Sequence, residues 1–331
     1  MKILALGNAV IDVTANIEDN FLDTHNIEKG LCYEAHIDQV PAYLEKLKNL
    51  GVEVSYSAGG SAANTMVCIA ALGGKSSFSG FISADKDGAF FKDSLALYDV
   101  DTNDMIIRPD DETGKIFILV TPDCQRSFMS FHGASATAKP EKAHEEMIRA
   151  NDALYIEGFS LYSPRGYDMF KAAADIARDE GKLIIFNPCD ANVVAEKADS
   201  VDDLMQRADI IIANRLEALA MTHTKTLDDA LTALGKMNKK CVVITDSANG
   251  AYIIEGGALT HSPIKRNPAK IVNDNGAGDN FAGGFLFGYL QQGLKASEAA
   301  QIGHLCAGYI LEQSASRPAQ KDDLKKLLSA L

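Results

Sequence analysis

Apolar positions along the chain alternate between short β-branched runs and longer stretches with helical spacing. Ile3–Leu6 and Val10–Val13 are apolar on either side of a Gly7-Asn8-Ala9 bend, and the first of them reads as a buried strand with Asp12 near its end. From Ala153 onward the alternation is regular, with strands at Ala153–Ile156, Leu183–Phe186, Ile210–Ala213 and Val242–Thr245. Between and after them, Ser163–Glu180, Val201–Arg207, Arg215–Met221 and Leu227–Lys236 carry helical spacing. Continuous Ile/Val runs separated by amphipathic helices predict a parallel sheet covered on both faces. Thr113–Thr121 and Arg126–Phe131 flank a Pro122-Asp123-Cys124-Gln125 turn and predict a hairpin. No Pro/Gly/Ser-rich linker and no internal repeat divides the chain, so one main domain with a small excursion is expected.

The pattern breaks most informatively at Asn273-Asp274-Asn275-Gly276-Ala277-Gly278-Asp279-Asn280-Phe281. Lys270-Ile271-Val272 before it reads as the tail of a strand. Phe281, Phe285, Leu286, Tyr289 and Leu290 after it recur at helical spacing up to Gly293. Glycines just ahead of a helix let the backbone approach a ligand, and first-turn N–H groups lack intrahelical partners, so the segment predicts an anion site. A carboxylate beside a bound phosphate is repelled unless it serves a proton transfer or a metal. Asp279 is therefore a candidate general base, with the Gly276, Ala277 and Gly278 amides stabilising charge on a moving phosphoryl group. Its bland alternative is an N-cap on a glycine turn.

A second glycine-led helix start is Ala58-Gly59-Gly60-Ser61-Ala62-Ala63-Asn64, followed by an apolar helix at Thr65–Leu72 and a Gly73-Gly74 stop. Gly74-Lys75-Ser76 is no P-loop, because Ile69 stands where that motif needs its first glycine. Gly59-Gly60-Ser61-Ala62-Ala63 lacks the closing glycine of a nucleophile elbow, which removes support for a hydrolase triad.

Composition narrows the class. At 331 residues, 47% hydrophobic and 23% charged, the chain is long enough to bury a sizeable core. A formal net charge of −13 argues against general nucleic-acid binding, which needs a basic surface. Six scattered cysteines without a Cys-x-x-Cys pair suit a reducing, cytoplasmic setting. The short opening apolar run reads as a strand rather than a signal peptide, and no apolar run is long enough for a bilayer.

Taken together, these segments resemble the ribokinase-like (PfkB) carbohydrate and nucleoside kinase family. Gly276-Ala277-Gly278-Asp279, Phe281 and Gly283-Gly284 resemble one family signature; Gly59-Gly60 with Asn64 resembles another, and Gly7 to Asp12 resembles the opening motif. Asn273 and Asp274 depart from it, standing where the family has Asp and Thr. The resemblance implies a three-layer α/β/α fold with a mostly parallel central sheet, in a single domain over residues 1–331. It also implies a small β lid from parts of about 14–57 and 105–131. Asn8, Asp12, Gly59, Gly60, Ser61 and Asn64 would then bind the acceptor, the glycines acting as a lid hinge.

Thr113-Gly114 and Val120-Thr121-Pro122-Asp123 with Arg126, and His132-Gly133-Ala134-Ser135, are similar to the adenosine-kinase-like branch. Arg126 would there reach substrate or phosphate. By the same resemblance, Asn187, Asn214, Thr245, Ser247, Gly250, Asn275, Gly276 and Gly278 bind ATP, and His304 and Ala307 line its adenine. Glu217, in Asn214-Arg215-Leu216-Glu217, would order Mg²⁺ through water, and a monovalent cation such as K⁺ belongs to the same expectation. The expected activity is ATP-dependent phosphorylation of the 5′-hydroxyl of a purine nucleoside, adenosine first. A family sugar kinase for ribose, fructose or a keto-deoxy acid is the alternative, and a non-catalytic nucleotide sensor is the alternative of another class. Expected partners are ATP and the small acceptor, with no nucleic acid and no membrane, in a monomer or homodimer.

Overall fold

A computed structural model of the chain describes residues 1–25, 27–30, 32–34, 39–123 and 125–330. Cys124 of the predicted hairpin turn, and residues 26, 31 and 35–38 of the early segment, lie outside the described residues.

Strand periodicity explains the layering. Ile3, Ala5, Ala153, Tyr155, Ile185, Ile210, Ile212 and Val243 point into one core, while Leu4, Leu6, Leu154, Ile156, Ile184, Phe186, Ile211 and Val242 point into another. Successive side chains of a strand face opposite ways, so a run apolar at every position must be covered on both sides. Helices Ser61–Ala71, Ala277–Leu286 and Ala296–Leu311 cover the first face, and Gly166–Asp179, Ala198–Arg207, Arg215–Thr222 and Leu227–Gly235 the second.

Among the described residues the main sheet has eight strands. Their order is Ala258–Ser262, Ala251–Glu255, Cys241–Thr245, Ile210–Asn214, Leu183–Asn187, Ala153–Glu157, Lys2–Leu6 and Lys75–Ser79. Pairing is parallel from Lys75–Ser79 through Cys241–Thr245, and antiparallel at the last two strands. The three-layer α/β/α arrangement with a mostly parallel sheet is thus the one observed.

A second sheet runs Cys32–Glu34, Arg126–Gly133, Thr113–Val120, Val10–Asn16 and Val54–Ala58. The predicted hairpin is present in it, antiparallel, with Ile116 opposite Ser130. The chain leaves the main sheet at Leu6, bends through Gly7–Ala9 and enters the second sheet at Val10. Asp12 therefore belongs to that second sheet, paired with Ser57 and Ile116, and not to the end of the first strand as expected.

Lys270–Val272 is a second correction. It is irregular rather than a strand, with Ile271 and Val272 exposed, because the Val272 N–H donates to the Leu311 carbonyl at the end of a helix (2.7 Å) and not to a strand neighbour. β-Branched residues alone do not make a strand without a ladder to join.

Helix Ala277–Leu286 lies between two others at close range. A Cβ on Gly283 would sit 2.6 Å from Cys68 Cβ, and one on Gly284 3.0 Å from Gly303 Cα. The glycine pair lets both flanking helices press against the helix that carries Asp279.

Candidate active site

Two helix starts meet at the site. Gly60 (φ 93°) precedes Ser61–Ala71 and Gly276 (φ 78°) precedes Ala277–Leu286; neither N-cap position supplies a side-chain cap. Asp279, in the first turn of the second helix, is held by the first turn of the other. Ser61 Oγ donates to its Oδ1 (2.6 Å), Asn64 Nδ2 to its Oδ2 (3.0 Å), and Thr65 Oγ1 to its backbone carbonyl (3.2 Å). A Cβ at Gly276 would lie 2.6 Å from Ser316 Cβ, whereas one at Gly278 would meet nothing within 4 Å. Gly278 is exposed at the positive end of the helix, where an anion can approach.

Three charges share this corner. Burial raises the Asp279 pKa, against the hydrogen bonds from Ser61 and Asn64 and the positive charge of Arg317. Burial pushes Asp12 up to about 7, opposed by Arg317 and reinforced by the Asp279 charge. No hydrogen bond among the described residues stabilises the Asp12 carboxylate, which fits tightly against Gly59, where a Cβ would come within 2.4 Å of Oδ1. Its oxygens are free to accept hydrogen bonds from ligand hydroxyls.

The remaining expected residues sit along the carboxyl edge of the sheet, the usual place for ligands in such folds. Glu157 pairs with Asn187, and Asn214 with Thr245, in register across the strand ends. Asn187 Nδ2 donates to Tyr155 Oη (3.0 Å) and its Oδ1 accepts from Cys189 N (2.9 Å). Asn214 and Glu217 form a reciprocal capping box: Asn214 Oδ1 accepts from Glu217 N at 3.0 Å, and Glu217 Oε2 from Asn214 N at 2.9 Å. Burial pushes Glu217 up to about 7, with Asp190 and Asp279 adding to the rise.

Thr245 opens a turn in which Ser247 takes φ 47° and Gly250 φ 91°. Arg126 pairs with Asp274 at 3.0 Å, joining the hairpin to the anion loop. Asn8 is engaged internally, its Oδ1 accepting from Ser160 Oγ (3.1 Å). His304 Nε2 lies 3.0 Å from the Ser262 carbonyl, and its ring is 5.2 Å from that of Phe281. It borders a small cavity of about 50 Å³ with Arg266 and Tyr309, and Ala307 is not part of that lining. Among the described residues no hydrogen bond links His304, Ser247 or Gly250 to the Asp279 cluster.

Two members of the site had no sequence signal strong enough to find them. Arg317, 8% exposed, donates from Nε to Asn64 Oδ1 (2.9 Å), from Nη2 to the Gly59 carbonyl (2.9 Å) and from Nη1 to Ser94 Oγ (3.0 Å). Glu157, 1% exposed, accepts from Ser160 Oγ (2.5 Å), Asn8 N (3.2 Å) and Phe159 N (3.1 Å). The only hint of Glu157 was a carboxylate closing an apolar strand.

The neutral Asn273 side chain is already engaged within the protein. Its Oδ1 accepts from Asn275 N (2.9 Å), which commits its Nδ2 to the Ser314 carbonyl (2.8 Å). For a divalent ion, no group of three His, Cys, Asp or Glu among the described residues could hold it directly. Glu217, with Asp190 and Asp279 close enough to raise its pKa, does fit one carried by phosphates and reached through water.

Residues 30–322 match the pfkB family of carbohydrate kinases, and the chain belongs to that family. It is an ATP-dependent phosphotransferase with an alcohol group as acceptor, of the nucleoside and carbohydrate kinase class. Kinases of this family use ATP with Mg²⁺. The chain is 27% identical over 351 residues to an adenosine kinase of Dictyostelium discoideum, spanning 98% of this chain and 99% of that one. It is 27% identical over 306 residues to a ribokinase of Haemophilus influenzae, spanning 88% and 94%. The crystal structure of adenosine kinase from Sinorhizobium meliloti is similar with a TM-score of 0.87 at 29% identity, over 99% of this chain and 98% of that one. Among the described residues no helix is long and apolar enough to cross a membrane.

Proposed function

We propose that this kinase transfers the γ-phosphoryl group of ATP to the 5′-hydroxyl of a purine nucleoside, adenosine first, with Asp279 as general base. The observation that carries the reading is the Asp279 carboxylate, gripped by Ser61 and Asn64 beside the exposed Gly278. The uncommitted Asp12 carboxylate accepts ribose hydroxyls and orients the primary one. Asp279 removes its proton as the new O–P bond forms and the bond to the ADP oxygen breaks. Gly276 to Gly278 amides meet the charge on the transferring group. When bound, Mg²⁺ supplies neutralisation of phosphate charge, with Glu217 holding it through water. Thr245, Ser247 and Gly250 flank the nucleotide, and His304 and Ala307 its adenine. The five-stranded sheet is the lid of a single domain, latched by Arg126 to Asp274. Cys68, Cys189, Cys241 and Cys306 are free thiols, which supports a cytoplasmic enzyme.

Full-length similarity to adenosine kinases favours a nucleoside, while the ribokinase match keeps a free sugar as the second reading. A coupled ADP-release assay across adenosine, inosine, guanosine, ribose and fructose decides between them. The highest kcat/KM is expected for adenosine, and a higher value for a free sugar would reverse the choice. Ligand-induced thermal stabilisation without ADP would instead mark a sensor.

A further inference from the structure

Arg317 occupies a segment strapped to the anion loop. Asn273 Nδ2 donates to the Ser314 carbonyl (2.8 Å), Asn280 Nδ2 to the Ser316 carbonyl (2.9 Å), and Tyr98 Oη to the Pro318 carbonyl (2.5 Å). The backbone is pinned on both sides of residue 317, and its side chain turns inward. The guanidinium plane then serves three separate elements: Asn64 in helix Ser61–Ala71, Ser94 in helix Lys86–Ala96, and the carbonyl of Gly59 ahead of the first helix. Its Cζ lies 5.8 Å from the centre of the Phe91 ring.

The Asn64 amide stands between Arg317 and Asp279. A guanidinium has only donors and a carboxylate only acceptors, which leaves that amide one orientation: carbonyl towards Arg317, NH₂ towards Asp279. Without the guanidinium, the amide is free to rotate its oxygen towards the carboxylate, where two acceptors repel. We propose that Arg317 is a positioning residue for phosphoryl transfer, holding Asn64 so that it aims the Asp279 carboxylate, and fixing the Gly59 carbonyl beside Asp12. The proposal rests on the reading of Asp279 as the base.

Charge points the same way. The titratable groups that act on or feel Asp279 are Asp12 from strand Val10–Asn16, Tyr155 and Glu157 from strand Ala153–Glu157, and Cys68 from helix Ser61–Ala71. Cys189 from the loop after Asn187, and Glu217 from helix Arg215–Thr222, complete the acidic set. Arg317 is the cation in this group, and it opposes the rise that burial imposes on both Asp12 and Asp279. A lysine would keep the charge but not the planar fork that reaches three acceptors.

The test is a double-mutant cycle of Arg317→Met and Asn64→Ala, with Arg317→Lys and Asp279→Asn alongside, assayed with ATP and the acceptor that ranks first in the ADP-release screen. Arg317→Met is expected to lower kcat by roughly 10- to 100-fold, the effect of losing hydrogen bonds from a charged donor, with KM for ATP near wild type. Its acid limb in the pH profile of kcat should move to higher pH, because a positive charge that favoured ionised Asp279 is gone. Arg317→Lys should keep the limb in place and recover only part of kcat. In the Asn64→Ala background, Arg317→Met should cost less than about threefold more.

Additive losses in the cycle, or an unmoved acid limb in Arg317→Met, would overturn the proposal. Should Arg317→Met fail to fold by thermal melting, Arg317→Lys decides instead, and wild-type kcat in that variant overturns it. Near-normal turnover in Asp279→Asn removes the base reading and this proposal with it. A large loss there combined with additivity at 64 and 317 removes this proposal alone.

Discussion

Helices Ser61–Ala71 and Ala277–Leu286 both start on a glycine in the left-handed region and both leave their first-turn amides without a side-chain cap. In the first, the opening turn is filled from within the protein: Ala62, Ala63 and Asn64 are buried, and the Asp279 carboxylate sits on Ser61 and Asn64. In the second, Gly278 looks onto open space. A carboxylate near a helix N-terminus is favourable by about 0.3–1 kcal/mol at exposed sites and up to ~2 kcal/mol when partly buried, so Asp279 steadies one helix while projecting from the other. The same local device therefore does two jobs, and what packs in front of each start decides which. On the proposed reading, one helix end orients the base and the other receives the phosphate.

The largest effect should come from the residue that links the two. Asp279→Asn is expected to reduce turnover by roughly 10²–10⁴-fold, the usual contribution of a general base, with nucleotide binding retained in a titration. Retained turnover would end the idea that the carboxylate takes a proton. Next come the glycines. Gly60→Ala puts a methyl 2.5 Å from the Asn8 carbonyl at φ 93° and should destabilise the fold by about 1–3 kcal/mol in denaturant unfolding. Gly278→Ala should do the opposite structurally, gaining up to about 1 kcal/mol from helix propensity, while raising KM for ATP. If Gly278→Ala leaves that KM unchanged, the second helix start is not the open anion site and the contrast with the first collapses.

On the proposed reading, Asp12 separates acceptor binding from chemistry. Its ionised form accepts hydroxyl hydrogen bonds, and burial holds its pKa up at about 7. Acceptor KM is therefore expected to rise as pH falls below about 7, and Asp12→Asn should flatten that dependence. Stability carries the matching sign. A raised carboxylate adds stability that is present at low pH and lost as pH climbs through the folded value, because desolvation disfavours its charged form. Acceptor hydroxyls relieve that cost, so the acceptor-induced rise in Tm should be larger at pH 8 than at pH 6.

Much of this was legible along the chain because its causes are local. The two-face burial of Leu4 against Ile3 follows from strand period, and Gly276 to Asp279 announced themselves by residue type at fixed spacing. Arg317 was not legible, since its partners Asn64 and Gly59 lie 253 and 258 residues away and Ser-Ala-Ser-Arg-Pro has no periodicity. Lys270–Val272 misled for a related reason. Its β-branched pair suggested a strand, but the carbonyl that takes the Val272 N–H belongs to Leu311, across the fold. Asp12 was misplaced by one element because the bend at Gly7–Ala9 leads directly into a new sheet, and apolar patterning is the same on both sides of it. Asn64 was legible as a site residue, but its commitment to Arg317 and Asp279 was not.

A left-handed position is also held without a glycine in the turn that begins at Thr245, where Ser247 takes φ 47°. A serine kept there stores about 1 kcal/mol of backbone strain, which glycine would not. Glycine also gives the unfolded chain more freedom to lose, so the two terms partly cancel. Ser247→Gly should then raise stability by less than about 1 kcal/mol, a shift of no more than a few degrees in Tm. If the hydroxyl serves ATP phosphates, the same substitution raises KM for ATP. Stability and nucleotide affinity would thus move in opposite directions at Ser247, as they do at Gly278. A variant that gains both would show that the strain at this turn is not tied to the nucleotide, and that only the two helix starts are shaped by what they hold.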